Sequence, residues 1–541
     1  MFFVANSIVD GSENVSVQGS AGLPSVALTR FIACLLFMLL LWRIWRFTIL
    51  PGLFPDRPKE YPYWIPCHGR SFFLDSNGLL SRARSYIGGA NEPFALTAFG
   101  MTFYVVTHVK HSAEFYRNTE TLSFEDFVQS LMRFNGNDED TIKVVYTSLP
   151  VNKAGFPNPQ GESLGVLAQR MHAHQHHPGE NLIALQKQVQ VWVDGHLNLT
   201  DLGAYPSAVS EGPTSIEVPL YRWCSELFIQ LGQDVYFGET LSQIDPELPA
   251  AFMAFDEQLW QMLYQYPSFL SAGMTTPRDR VIAFLNKYLQ VPQSQRRGST
   301  AWLIRAMEDE MRAIGVDSDN LAVVIFHLYL AINTNTRKAA FWVLSYLIHN
   351  PTLLAAYRAE TAASFGDAGE LADPFLIQDA SRCPTVDAVW NETLRMTGWA
   401  ASVRLITADT VIGGKYMRKG NRIMVPHRLL HFDAAVFGEK PHEFRPKRWM
   451  TREKADDDGS GAGNLARSPS WRPFGGGKTM CSGRFLARFS VTTLVATLLR
   501  RFDLALVGNP PFPKADEGRP VLGTMSIKEG CDFKVKISLR K

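Results

Sequence analysis

The sequence predicts a mostly α-helical protein with a small β portion, carried on one N-terminal membrane helix. Three observations point there: a 20-residue apolar stretch near the start, helical spacing of apolar residues through most of the remaining chain, and one alternating pair of runs around a glycine. The chain has 541 residues, 46% of them hydrophobic, with 12 Trp and 35 Phe, enough to bury a very large core. A net charge of +2 with interspersed signs leaves no basic face and argues against nucleic acid. Six cysteines without a C-x-x-C pair suggest neither a disulfide framework nor a zinc site, and place the body in a reducing compartment.

Residues 1–22 form a tail, and residues 23–42, "LPSVALTRFIACLLFMLLLW", carry a single charge at Arg30. That length matches an apolar helix crossing a bilayer. Arg43 and Arg46 follow directly while Asp10 and Glu13 precede, so the positive-inside tendency puts the tail in the lumen and the body in the cytosol, as a single-pass anchor would in the endoplasmic reticulum. Asn14, in an Asn-Val-Ser sequon, then lies on the glycosylated side. Residues 43–70, rich in proline and aromatics, read as a stiff, non-helical connector, and 71–541 as one catalytic domain. Within it, "FALTAFGMTFYVVTHV" reads as a hairpin about Gly100, and the "DDDGSGAGN" insert between Thr451 and Ser470 as a surface loop.

From Asp317 to Asn350 the chain runs without Gly or Pro, opens on capping residues and stops before Pro351, so one long, uninterrupted helix is expected. Its first half is apolar nearly all round, the mark of a helix through the middle of a large protein. Then Asn333, Thr334, Asn335 and Thr336 come together, either as a satisfied knot of polar groups or as the wall of a polar cavity. Further on, Glu392 and Arg395 share a helical face at i, i+3, a pair that alone would be a solvated salt bridge; Arg448 in "PHEFRPKRWM" could complete a network.

"RPFGGGKTMCSGRFLA", residues 472–487, resembles a phosphate-binding loop only superficially. Such a loop needs a glycine where Arg472 stands and a Val/Ile-rich strand where the Gly/Ser-rich insert lies. Cys481 remains, as an inert buried thiol or a metal ligand. The histidines of "MHAHQHHPGE", at 172, 174, 176 and 177, fit no single helical face and read as a solvated loop.

Taken together, these segments resemble the cytochrome P450 superfamily of haem-thiolate monooxygenases. Phe474, Gly477, Cys481 and Gly483 match its F-x-x-G-x-x-x-C-x-G loop, Glu392 and Arg395 its E-x-x-R pair, and Arg448 the third network member. The resemblance implies the cytochrome P450 fold, and haem b with Cys481 as axial iron ligand and Phe474, Gly477 and Gly483 shaping its cradle. It implies electrons from NADPH through cytochrome P450 reductase, with cytochrome b5 as an accessory donor, and dioxygen as co-substrate of a monomer. Two departures stand out. Thr479 occupies the usual propionate-binding position, leaving Arg404 and Lys478 for that role, and Asn335 precedes Thr336 where the family commonly has an acid. "AINTNTRKAAFWVL" is similar to the branch of sterol 7α-hydroxylases and prostacyclin synthase, and to fungal secondary-metabolite oxidases. That likeness implies a lipophilic terpenoid, steroid or alkaloid substrate, with Thr336 and Asn335 beside the reacting oxygen. It keeps an isomerase or lyase independent of dioxygen, and a non-catalytic haem-binding membrane protein, as alternatives. Family layout places substrate contacts at 124–137, 252–274, Ile332, 400–403 and Thr524.

Overall fold

The apolar N-terminal run forms helix α1, Leu23–Ile44, whose large side chains from Val26 to Leu41 stand exposed as they would toward lipid. The computed structural model describes residues 23–65, 67–89, 92–98, 100–151, 153–296, 300–367, 369–450 and 465–540. The predicted lumenal tail with Asn14, and residues 451–464 of the predicted surface loop, lie outside the described residues. The connector departs from expectation. Helical geometry continues past Trp42 through a wide turn at Trp45–Ile49 to Leu53, because Pro51 falls in a first turn, where its missing N–H costs nothing. The chain then folds back: Arg43 donates to the Tyr63 carbonyl at 2.5 Å and Arg46 pairs with Glu60 at 2.8 Å.

A six-stranded mixed sheet follows, in the order 59–60, 94–98, 101–105, 422–426, 401–406, 122–123. The expected hairpin is its centre: Phe94–Ala98 pairs antiparallel with Met101–Val105 across Gly100, whose φ of +74° suits the tight turn. A second, antiparallel sheet of four strands, 502–506, 534–539, 215–219 and 209–210, closes the far side.

Helices fill most of the rest: α2 (Leu164–His176), α3 (Leu220–Phe237), α4 (Leu248–Asp256), α5 (Ser318–Asn333), α6 (Thr336–Ile348), α7 (Pro384–Thr397) and α8 (Arg484–Arg501) frame the site. Asp317 caps α5 by accepting the Asn320 N–H, as expected. The largest core cluster joins α3, α5, α6 and α8, and α5 and α6 are buried almost throughout. They are not the single helix that the sequence suggests. The helix breaks at Thr334–Asn335, where the Asn335 carboxamide oxygen accepts the backbone N–H of Thr524 at 3.0 Å and the Thr336 hydroxyl turns back to the Ile332 carbonyl at 3.4 Å. Asn and Thr side chains compete in this way with the helical ladder. Arg404 lies in the strand Ala401–Ile406.

Candidate active site

The loop before α8 is shaped by glycine at two points. Gly475 and Gly477 sit at φ of +78° and +62°, and a Cβ on Gly477 would stand 3.2 Å from the Tyr116 carbonyl oxygen. The turn returns on itself, with the Cys481 N–H donating to the Phe474 carbonyl at 2.9 Å. Cys481 thus precedes the N-terminus of α8 by three residues. Burial raises its thiol pKa, while the backbone N–H groups of Gly483 and Arg484 act the other way.

Cys481, Phe474 and Gly483 line a cavity of about 500 Å³ whose wall also carries Ile332, Asn335, Thr336 and Ala339. The break therefore brings Asn335 and Thr336 to the same space as Cys481, while buried Asn333 and Thr334 lie outside that wall. The polar cluster is thus split: Asn335 and Thr336 form part of the cavity wall, while Asn333 Oδ1 and Thr334 Oγ1 are buried without a hydrogen-bond partner among the described residues, so it is not a fully satisfied knot. Asn335 has its oxygen engaged by Thr524, and Gly523 is held so close that an added Cβ would fall 2.5 Å from that oxygen.

Arg404 is buried beside this loop, donating to the Val403 carbonyl at 2.7 Å and to the Thr479 hydroxyl. Thr479 is thus tied to Arg404. Burial pulls the Arg404 pKa down to about 10, and among the described residues it has no carboxylate partner. Lys478, expected to share its role, is exposed and absent from the cavity wall, because Gly477–Thr479 is a short 3₁₀ turn that aims it outward. Near Arg404, Tyr116, Ser402 and His427 hydrogen-bond one another at 2.9–3.1 Å, leaving the buried Nδ1 of His427 without a partner among the described residues.

The histidines are not a solvated loop. They sit on or just after the last turns of α2, and His172 and His176, one turn apart, line the cavity. His176 shares a 2.7 Å hydrogen bond with the Tyr236 hydroxyl, and burial holds both imidazoles down at about 4. His174 instead packs against Trp302. The i, i+4 spacing of 172 and 176 was the signal for a shared face.

Behind the cavity, Glu392 and Arg395 are fully buried and joined by two bonds of 2.8 Å. Glu392 also accepts from the Arg445 N–H at 2.7 Å, Arg448 Nε at 3.0 Å and Trp449 Nε1 at 2.8 Å. Arg395 reaches the carbonyls of His431, Pro441 and Glu443. The pair is a buried junction rather than a solvated bridge. Of the expected substrate regions, Phe124, Phe127, Val128, Leu131, Ile332, Ala400–Val403 and Thr524 line the cavity. Within 252–274 only Leu263 and Tyr264 do; Phe252, Phe255 and Met274 are core. Sequence reasoning also missed Arg422 and Met424, which reach the cavity through strand pairing that no local motif reports, and Trp399, whose backbone N–H donates to the distant Gly523 carbonyl at 2.7 Å.

A flat, apolar cofactor bearing carboxylates and a metal fits these residues. The cavity is lined mainly by apolar groups, a thiol enters it from a glycine-shaped loop, and Arg404 and the orphaned His427 Nδ1 supply cationic and polar sites near that loop. The family model described as Cytochrome P450 matches residues 220–530. "Cytochrome P450 monooxygenase poxD" of Penicillium oxalicum is 26% identical over 480 residues, 85% of this chain and 90% of that one. "Cytochrome P450 monooxygenase nodJ" of Hypoxylon pulicicidum is 22% identical over 94% of each chain. The "25-hydroxycholesterol 7-alpha-hydroxylase" of Rattus norvegicus is 24% identical over 78% of this chain and 97% of its own.

Proposed function

Because the chain belongs to the cytochrome P450 family, and is a monooxygenase using haem, dioxygen and electrons from a redox partner, we propose that it oxidises a lipophilic secondary metabolite of the terpenoid, steroid or alkaloid class at the endoplasmic reticulum membrane. One observation carries the reading: Cys481 and Thr336 line the same largely apolar cavity from separate elements. The names of fungal monooxygenases and a sterol hydroxylase among its relatives support the substrate class. The exposed apolar α1 supports a single-pass anchor at 23–42, with 71–541 as a cytosolic domain.

Cys481 would hold the haem iron, with Phe474, Gly477 and Gly483 forming the cradle and Arg404 meeting a propionate. Haem bound through a cysteine thiolate supplies the oxidising power, pushing electron density toward cleavage of the O–O bond. The N–H groups of Gly483 and Arg484 stabilise negative charge on sulfur and tune it. Thr336 holds a proton on Oγ that its long 3.4 Å bond to Ile332 leaves ready to turn toward a cavity water. Asn335 cannot release a proton at neutral pH, and its oxygen is occupied by Thr524. Its amide therefore orients, and protons travel through Thr336 and water. Glu392, Arg395 and Arg448 brace the loop region from behind. The electron donor is a membrane-bound NADPH-dependent reductase, with cytochrome b5 as accessory, acting on a monomer.

Cys481→Ser tests the site. The reduced, carbon-monoxide-bound wild type is expected to give the thiolate-type spectrum and, with reductase and NADPH, a product one oxygen atom heavier or two hydrogens lighter than its precursor; the variant is expected to give neither. A thiolate-type spectrum that survives the substitution refutes the ligand assignment. A product of unchanged mass points to an isomerase.

A further inference from the structure

Elsewhere in the protein, buried arginines are matched by carboxylates: Arg296 with Glu308, Arg337 with Asp256, Arg395 with Glu392 and Arg428 with Glu517. The cavity breaks this pattern. Its described wall carries two guanidinium groups, buried Arg404 and half-buried Arg422, and no aspartate or glutamate. A cation drawn away from water without a counter-charge is costly, so an anion brought in from outside is the natural complement.

The two arginines serve different places. In the antiparallel pairing of 401–406 with 422–426, Arg422 stands opposite Leu405 and Arg404 opposite Ile423. Successive residues of a strand face opposite sides, so the arginines leave the sheet on opposite faces. Arg404 lies against Phe115 and Phe124 and is bonded to Thr479 of the cysteine loop. Arg422 has no hydrogen bond or ion pair to it among the described residues. Its side of the sheet carries Phe103, its register partner, and Met424. Tyr264 lies over this face, its ring within 4.9–6.3 Å of Phe72, Phe73 and Phe103, and its phenol is close enough to Arg422 for each to bias the other's ionisation. Arg422 and Tyr264 thus both line the cavity, with Phe103 and Met424, on the face of the sheet opposite to Arg404.

We propose that Arg422, with Tyr264 on the same cavity wall, is a substrate-recognition site for a carboxylate, so that the natural substrate is an amphipathic acid whose hydrocarbon body lies in the cavity. This rests on the monooxygenase reading above and narrows its substrate class. Arg422 grips one end of the substrate and thereby chooses which carbon is presented near Cys481 and Thr336. A charge-assisted hydrogen bond of this kind is worth roughly tenfold or more in affinity.

The test uses the full-length holoenzyme and spectroscopic titration of the haem spin state with two matched pairs, dodecanoic acid against methyl dodecanoate and abietic acid against its methyl ester. At least one acid is expected to bind wild type roughly tenfold tighter than its ester. Arg422→Leu should erase that difference while leaving ester binding unchanged, and Arg422→Lys should restore part of it. Arg422→Gln repeats the comparison should the leucine variant fail to fold. The proposal is overturned if neither acid is preferred by wild type, or if the variants weaken ester and acid alike. It is also overturned if they lose haem while wild type keeps it, since Arg422 would then serve the cofactor. Absence of the thiolate-type spectrum in wild type would instead refute the monooxygenase reading itself.

Discussion

Two of the protein's clusters of buried charge, around Glu392 and around Asp256, are built on opposite plans. Around Glu392 every carboxylate oxygen is met by several donors, and Arg395 and Arg448 spend their remaining N–H groups on main-chain carbonyls. Around Asp256, on α4, one carboxylate faces two cations of α6: Arg337 and, at 2.7 Å, Lys338. Arg337 also donates to Ser225 at 2.6 Å, but its Nε and the Asp256 Oδ1 stay buried without a hydrogen-bond partner among the described residues. The first cluster is saturated; the second carries one surplus positive charge. The contrast separates two uses of buried ions: a saturated network locks one arrangement of chain, whereas an unbalanced one is held only while its single anion stays ionised.

The largest effect is expected from Glu392→Ala. It leaves two arginines, a tryptophan N–H and a backbone N–H unmet at once, and should cost at least about 3–5 kcal/mol, read as loss of haem-loaded protein and a collapse of the thermal midpoint. If the midpoint barely moves, the network is not the brace described here.

Asp256→Asn should come next, at about 3 kcal/mol, since the amide cannot neutralise Arg337 and Lys338. Burial alone would raise the Asp256 pKa, but Lys338 and Arg337 outweigh it and hold the group below its ordinary range. Because the folded value is lowered, the pair's stabilisation is present above the unfolded value of about 3.9 and is lost as pH falls through the folded one. Wild type should therefore lose stability below about pH 4 more steeply than the asparagine variant, in chemical melts run across that range. Parallel profiles would show that Asp256 does not carry the cluster's charge balance.

Lys338→Met should do least. It removes the surplus charge while keeping the side chain's length, so a change within about 1 kcal/mol, in either direction, is expected in the same melts. A loss as large as that of Asp256→Asn would mean that the lysine, not the arginine, is the partner that matters.

The same two clusters explain what the sequence made legible. Glu392 and Arg395 are three residues apart, so a helical periodicity exposes them, and Arg448 follows in a segment with its own turn signals. Asp256 lies 81 positions from Arg337, and nothing local marks the meeting. The Cys481 loop was readable because its glycines and thiol act within ten residues, whereas Arg422 and Tyr264 meet only through sheet register and the packing of a distant turn. The continuous helix was misread for a related reason. Its break depends on Thr524, nearly two hundred residues away, offering an N–H to Asn335. Lys478 and the histidines erred on direction: a 3₁₀ turn aimed one outward, and the end of α2 turned two of the others in.

The fold-back after α1 turns the apolar N-terminal helix into a lever arm rather than a leash. Arg43 and Arg46, at the foot of the apolar helix, are clasped by Tyr63 and Glu60, and Glu60 is itself the edge of the six-stranded sheet and accepts the Thr97 hydroxyl. The angle at which the apolar helix leaves the six-stranded sheet is thus set by two guanidinium groups. A soluble version trimmed within the apolar run, keeping Arg43 and Arg46, preserves that clasp; one trimmed after Arg46 strips the first strand of its counter-ion.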